Sequence, residues 1–163
     1  MVQNSAKHLI IGGGIIGCSI AYHLSRMGEK DVCLLERANL TEGATWHAAG
    51  LVGQLRSSRN TTRMLKKSVE MYDRLQLQEG LKFDWKKTGS LRLAATKERM
   101  LEARRLATMA RSFDLEMHII SPSEAKQLFP LIEQNGLEGA AFIPSDGYVD
   151  PASLCQAIAG AAR

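Results

Sequence analysis

No stretch of this sequence is both long and apolar enough to cross a membrane. The longest apolar run, Leu9 to Ile20, is broken by four glycines, whereas a spanning helix needs about 20 consecutive, mainly apolar residues. Cysteine is scarce. Cys18, Cys33 and Cys155 are isolated, odd in number and without Cys-x-x-Cys spacing, which argues against a disulfide scaffold and for reduced thiols in a cytoplasmic protein. Charge of one sign is not concentrated either. The 21 Lys and Arg outweigh 17 Asp and Glu by a formal +4, but Lys66, Lys67, Lys86, Lys87, Arg104 and Arg105 are interleaved with acids. They form no stripe beside aromatics, so a solvated surface is expected and no nucleic-acid partner. Met1 to Lys7 lead straight into the first predicted strand. No signal or transit peptide is therefore expected, and a bacterial cytoplasmic location follows. The remaining composition, 45% hydrophobic and 23% charged over 163 residues, is that of an ordinary globular domain with one core.

The pattern along the chain then gives the architecture. Lys7 to Ile11 reads as a short buried strand running into Gly12-Gly13-Gly14. From Ile15 to Met27 the apolar residues Ile16, Ile20 and Leu24 recur at helical spacing, and Gly28 closes the helix. Asp31 to Glu36 is a second buried strand. Strand, glycine turn, helix and strand make a βαβ unit, whose right-handed crossover sets the two strands parallel. The stretch 38–60 is rich in small residues and too long for an idle loop, which favours a functional role. A helix is expected from about Thr61 to Glu79 with Leu65, Val69, Tyr72 and Leu75 on one face. Further on, Ser90–Ala94, Leu115–Ile120 and Glu138–Ile143 read as strands. Lys97–Ser112 is expected to be a helix with Leu106, Met109, Ala110 and Phe113 turned inward. Ser121-Pro122-Ser123-Glu124 is a helix start with a capping box, and Asp150-Pro151 opens a last helix with Leu154 and Ile158 inward. The expected fold class is α/β. It is the N-terminal part of a Rossmann-like dinucleotide-binding domain with the start of an α+β domain inserted, its doubly wound sheet incomplete. The last helix meets no stop signal before Arg163, so the chain reads as truncated.

The turn Gly12-x-Gly14-x-x-Gly17 has the spacing of a dinucleotide site. Gly12 permits the tight turn, Gly14 lets backbone approach a pyrophosphate, and Gly17 lets the helix pack on the strand. The N–H groups of Ile15 and Ile16, in the first turn of the helix, face the phosphate charge. Glu36, at the end of the second strand, is placed to accept hydrogen bonds from an adenosine ribose. Its carboxylate disfavours a 2′-phosphate, although adjacent Arg37 weakens that point. The turn alone does not separate NAD from FAD.

The next segment does. Ile10-Ile11-Gly12-Gly13-Gly14 with Leu34-Leu35-Glu36-Arg37, followed by Leu40-Thr41-Glu42-Gly43-Ala44-Thr45-Trp46-His47-Ala48-Ala49-Gly50-Leu51, closely resembles dimethylglycine and sarcosine dehydrogenases of the D-amino-acid-oxidase superfamily. The resemblance continues through Thr88–Ala94, Ile120-Ser121-Pro122, Leu128-Phe129-Pro130 and Asp146–Pro151. It implies FAD as cofactor, held by Gly12, Gly14, Ile15, Ile16, Gly17, Glu36 and Arg37. It further implies that Gly43, Ala44, Thr45, Trp46, His47, Ala48, Gly50 and Leu51 wrap the flavin, with His47 as the covalent attachment point. The implied substrate is a small N-methylated amine or amino acid. Hydride passes from its N-methyl carbon to the flavin, and the resulting iminium yields formaldehyde or is captured by tetrahydrofolate. That last step belongs to a folate-binding domain of several relatives, which is not in this sequence. The resemblance divides the chain into residues 1–80 for FAD binding, 81–146 for part of a substrate domain and 147–163 for a return to the first domain. It leaves the electron acceptor and any catalytic acid or base unassigned. Arg56, Arg59 and Arg63 could meet a substrate carboxylate, although solvated arginines at a helix start are the expected reading. His8, His23 and His118 have no partners at metal spacing, so no metal is expected.

Overall fold

The computed structural model describes residues 5–163. Its elements run β1 (His8–Ile11), α1 (Ile15–Arg26), β2 (Val32–Leu35), β3 (Leu51–Val52), α2 (Arg59–Leu77), β4 (Trp85–Lys86) and β5 (Ser90–Ala94). They continue with α3 (Lys97–Ser112), β6 (His118–Ile120), α4 (Pro122–Leu128), β7 (Gly139–Ile143), β8 (Gly147–Val149) and α5 (Pro151–Ala161). β1 and β2 form one sheet, β5-β7-β6 a second and β3-β8-β4 a short third. The chain folds into two compact units. The first comprises the residues through Leu51, Tyr72–Trp85 and Val149–Arg163; the second comprises Val52–Met71 and Lys86–Tyr148. Packing thus hands 52–71 to the second unit, whereas the sequence-based division by role carried the first segment to residue 80.

The first unit is built on the βαβ turn. β1 and β2 pair in parallel with His8 opposite Val32 and Ile11 opposite Leu35, as the crossover requires. α1 ends at Met27, and Gly28 follows at φ +87°, the left-handed position that stops helices. The buried side of α1 is Gly17, Cys18 and Tyr22, packed against α5, whose Leu154, Cys155 and Ile158 are buried in turn. The periodic residues Ile16 and Ile20 lie instead on the exposed side. Gly17, Cys18 and Cys155 supply small positions in the contact, and Tyr22, Leu154 and Ile158 fill the space around them. β1 is buried on one face only and β2 has no fully buried residue, which corrects the expectation of buried strands. Ile10 is inside, while Leu9, Ile11 and Leu35 are 57%, 83% and 52% exposed. Elsewhere in this unit Tyr22 donates its hydroxyl to both Glu79 oxygens at 2.9 Å, and the Trp85 indole N–H donates to Asp73 at 2.8 Å.

The second unit is an antiparallel sheet with β7 at its centre, Ser90 opposite Ile143 and Ile120 opposite Ala140. Alternate residues of β7 point to opposite faces, and each face has its own core. Leu55, Ala110, Leu115 and Ile143 form one, with Leu106, Met109 and Phe113 against them. Ala125, Ile132 and Ala140 form the other, with Leu91, Ile120 and Leu137. The alanines of β7 are small because helices α3 and α4 both contact this strand. The capping box at Ser121 and Glu124 is complete, and within the first unit Asp150 caps α5 at Ser153. The short strands β3, β4 and β8 carry two or three residues each, too few to display a period of two.

Candidate functional site: a strand-to-helix corner and the segment docked on it

The corner between β1 and α1 is shaped by two consecutive peptide planes, the first held at both ends and the second at its carbonyl. In the first, the Gly13 N–H donates to Glu36 Oε2 at 2.6 Å. The carbonyl of Gly12 points the other way, against α1, where a Cβ on Gly17 would lie 1.9 Å from the Gly12 oxygen. Gly12 itself has φ +110°, a conformation that side chains rarely adopt. In the second plane the Gly13 carbonyl accepts the Thr41 N–H at 3.1 Å. Gly13 has its own steric reason to be glycine, since a Cβ there would stand 2.4 Å from Leu40 and 3.0 Å from Glu36. The spacing rule singles out only Gly12, Gly14 and Gly17. The crowding at Gly13 comes from Glu36 and Leu40, just after β2, and is invisible in the local motif.

α1 begins here, and the first hydrogen bond along its axis runs from Cys18 N–H to the Gly14 carbonyl. The N–H groups of Ile16 and Gly17 lie in the first turn and have no intrahelical acceptor. The N–H of Ile15 is taken by the Thr45 hydroxyl at 3.0 Å. Thr45 is buried, and its oxygen would sit 3.1 Å from a Cβ on Gly14. A row of outward backbone donors at the positive end of a helix is an anion-binding arrangement.

Glu36 supplies the negative counterpart at the end of β2. The N–H groups of Gly13, foremost, and of Ala38 hold its carboxyl below the ordinary glutamate range. It therefore stays ionised and keeps lone pairs for further donors, since each carboxylate oxygen accepts two. Arg37 beside it is exposed. A hollow of about 740 Å³ extends along β2 between α1 and α5, with Glu36 and Leu40 in its wall. The turn glycines do not line it, so the hollow lies beside the corner.

The segment after β2 folds onto this corner through a series of turns over residues 40–47. Thr41 has φ +78°, unusual for a β-branched residue, and both its backbone groups are used: its N–H on Gly13 and its carbonyl for Trp46 N–H at 3.0 Å. His47 is exposed, and its Nδ1 lies 3.0 Å from the Gly43 carbonyl. A carbonyl can only accept, so Nδ1 is the donor of this pair, and in the neutral ring the lone pair is on Nε2. Trp46 is 68% exposed, so it is no filler of the core. Gly43, Ala44, Ala48 and Leu51 are exposed and Gly50 is half-buried. A Cβ on Gly50 would strike the Val149 carbonyl at 2.2 Å.

The three arginines divide otherwise. Arg59 donates to the Ser112 carbonyl and lies over the Phe113 ring, and neighbouring Lys66 donates to the carbonyls of Phe113 and Asp114. These cations serve the C-terminal end of α3. Arg56 bonds the Leu55 carbonyl, and Arg63 is exposed. His8 sits beside Glu29, and His118 beside Glu116. Among the described residues no cluster of three metal-ligating groups exists, and no helix is long and apolar enough to cross a membrane.

Comparison with known proteins supplies the family. The family described as FAD dependent oxidoreductase (DAO) matches residues 7–163. Mitochondrial sarcosine dehydrogenase of Homo sapiens is 39% identical over 162 residues, which are 99% of this chain and 18% of that protein. Mitochondrial dimethylglycine dehydrogenase of Rattus norvegicus is 39% identical over 161 residues, 99% of this chain and 19% of that protein. The crystal structure of L-proline dehydrogenase from P. horikoshii superposes with a TM-score of 0.91 at 29% identity, covering 99% of this chain and 42% of that one. The chain spans about a fifth of the length of the curated relatives it matches. With its mixed α/β fold and the family match over nearly its whole length, this chain belongs to the FAD dependent oxidoreductase family.

Proposed function

We propose that this chain is the FAD-holding part of an oxidoreductase that acts on the CH–NH group of a small N-methylated amino acid, with His47 as the covalent attachment residue. The observation that carries the reading is the corner itself. Gly17 is closed against Gly12 with no room for a Cβ, which turns the first N–H groups of α1 outward, and Glu36 stands ionised at the neighbouring strand end. These residues fit a dinucleotide: the donors of Gly14, Ile16 and Gly17 suit a diphosphate, and the remaining lone pairs of Glu36 suit ribose hydroxyls. Gly43, Ala44, Ala48, Gly50 and Leu51 offer a low-relief surface for a planar ring, and Trp46 an exposed aromatic face.

For His47 the support is its tautomer. The Gly43 carbonyl holds the ring proton on Nδ1, leaving Nε2 as a neutral nucleophile toward an electrophilic carbon. Bound FAD would supply the two-electron acceptance that the chain's own side chains lack. The chain's part is to bind the diphosphate, fix the adenosine end through Glu36 and anchor the ring end through His47. Residues 81–146 belong, in this reading, to a substrate domain, and the reduced cysteines accord with a cytoplasmic setting.

The test uses the full-length polypeptide. Acid precipitation should leave a yellow pellet that retains flavin, and His47→Ala should release the flavin to the supernatant. Sarcosine or dimethylglycine should then yield formaldehyde, less of it when tetrahydrofolate is present if the one-carbon unit is transferred. A colourless protein carrying NAD would overturn the reading. A flavoprotein that oxidises no N-methylated amine would overturn the substrate class alone.

A further inference from the structure

Cys18 and Cys155 have no place in the family motif, yet they meet at the corner. Both are completely buried, Cys18 on α1 and Cys155 on α5. Cys18 Sγ lies 3.5 Å and Cys155 Sγ 3.8 Å from one acceptor, the Gly13 carbonyl. Burial, with Cys18 alongside, pushes the Cys155 thiol up to about 12, so it carries its hydrogen at neutral pH and can only be a donor or a weak acceptor.

The orientation of that carbonyl matters because of what shares its plane. In a trans peptide the C=O of Gly13 and the N–H of Gly14 point in opposite directions. Any group that draws the Gly13 oxygen inward therefore turns the Gly14 N–H outward, to the side where the helix presents its unsatisfied donors. The Thr41 N–H takes one lone pair of the oxygen, and a carbonyl oxygen has two. The thiols approach from the helices.

We propose that Cys18 and Cys155 are positioning residues of the dinucleotide corner: their S–H groups hold the Gly13 carbonyl inward and so aim the Gly14 N–H at the diphosphate. This rests on the FAD reading above. Cys18, the nearer, is the principal donor, and Cys155 is shared between the carbonyl and the Cys18 sulfur. Neither touches the cofactor.

The experiment uses the full-length polypeptide in a His47→Ala background, where FAD binding is reversible and flavin fluorescence quenching reads the dissociation constant. Thiols are weak donors, so Cys18→Ala and Cys155→Ala should each weaken FAD binding about threefold, and the double variant about tenfold. The infrared S–H stretching band, isolated by difference against the double variant, provides a readout that packing alone would not move. It should lie at the lowered frequency of a bonded thiol and shift further when FAD is added, because a phosphate pulling on the Gly14 N–H polarises the same peptide. FAD affinity of the folded double variant within twofold of the parent would overturn the proposal. So would an S–H band at the unbonded frequency, which difference spectra against the single variants also read if the double variant does not fold. A parent that binds no FAD while its S–H band is displaced would instead overturn the FAD reading and leave the geometry of the thiols intact.

Discussion

The two units solve the same problem, a small sheet with helices on it, by different means. In the second, side chains do the fitting: β7 is buried on both faces, and alternate residues enter two separate cores. In the first, the decisive contacts fall on backbone groups: Gly17 on the Gly12 carbonyl, the Glu36 carboxylate on the Gly13 N–H, and the Thr41 N–H on the Gly13 carbonyl. The contrast teaches where function can be built. A unit whose backbone donors are held in place by other backbone groups can offer them to a ligand, whereas a unit that spends its ladder internally offers only side chains.

Substitutions can break this contrast. The largest loss of stability is expected at Ile143, which is buried in the core beneath α3. Ile143→Ala should cost about 4 kcal/mol in urea unfolding while flavin retention in the folded fraction is unchanged. A parallel loss of flavin would mean that the units are not separable. Gly17→Ala comes next, at about 3 kcal/mol, because the new methyl meets a backbone oxygen that cannot move aside. Here flavin should be lost altogether, and retained flavin would show that the corner tolerates opening. Asp146→Ala should cost about 2 kcal/mol, since it strands the Gln54 N–H and the Ser90 hydroxyl, both bonded to this buried carboxylate. The effect belongs to the second unit, so a flavin phenotype stronger than that of Ile143→Ala would count against the comparison.

Smaller effects sharpen it. Glu36→Gln should weaken FAD about tenfold by replacing a charged acceptor with a neutral one. The same group carries a pH signature. Its carboxyl is held below its ordinary value by the Gly13 N–H first and the Ala38 N–H second. The stabilisation is therefore fully present above the unfolded pKa and disappears as pH falls through the lower folded value. Glu36→Gln should flatten that acid limb of an unfolding titration, and a limb that persists unchanged would assign it to another carboxylate. Thr41→Gly is expected to have the smallest effect, a gain of about 0.5 kcal/mol, as relief at φ +78° narrowly exceeds the added freedom of the unfolded chain.

Much of this was legible in the residues, unevenly. Ser90–Ala94 and Lys97–Ser112 coincide with their predicted bounds because alternation and helical periodicity report directly on a sheet flanked by helices. The capping box at Ser121 was equally plain. The spacing of Gly12, Gly14 and Gly17 located the corner, and the resemblance supplied the family. Three things were hidden. The apolar rhythm of Ile16 and Ile20 pointed to a buried face, but the face that packs is Gly17, Cys18 and Tyr22, because its partner is α5, more than 120 positions away in sequence. Gly13 looked like a spacer, although it is squeezed by Leu40 and Glu36 from 23 or more positions away. Arg59 drew attention as a group that could meet a substrate carboxylate, but its partner is the Ser112 carbonyl at the end of α3. Each of these depends on contacts distant in sequence, which a local window does not contain.

Leu9, Ile11 and Leu35 remain wet on the outer face of the β1–β2 pair. Every large aliphatic side chain left in water forgoes about 1.5–3 kcal/mol that covering it would return. The first unit therefore holds an undrawn reserve of cohesion. Covering that face would raise its melting temperature without any change to the corner beneath it.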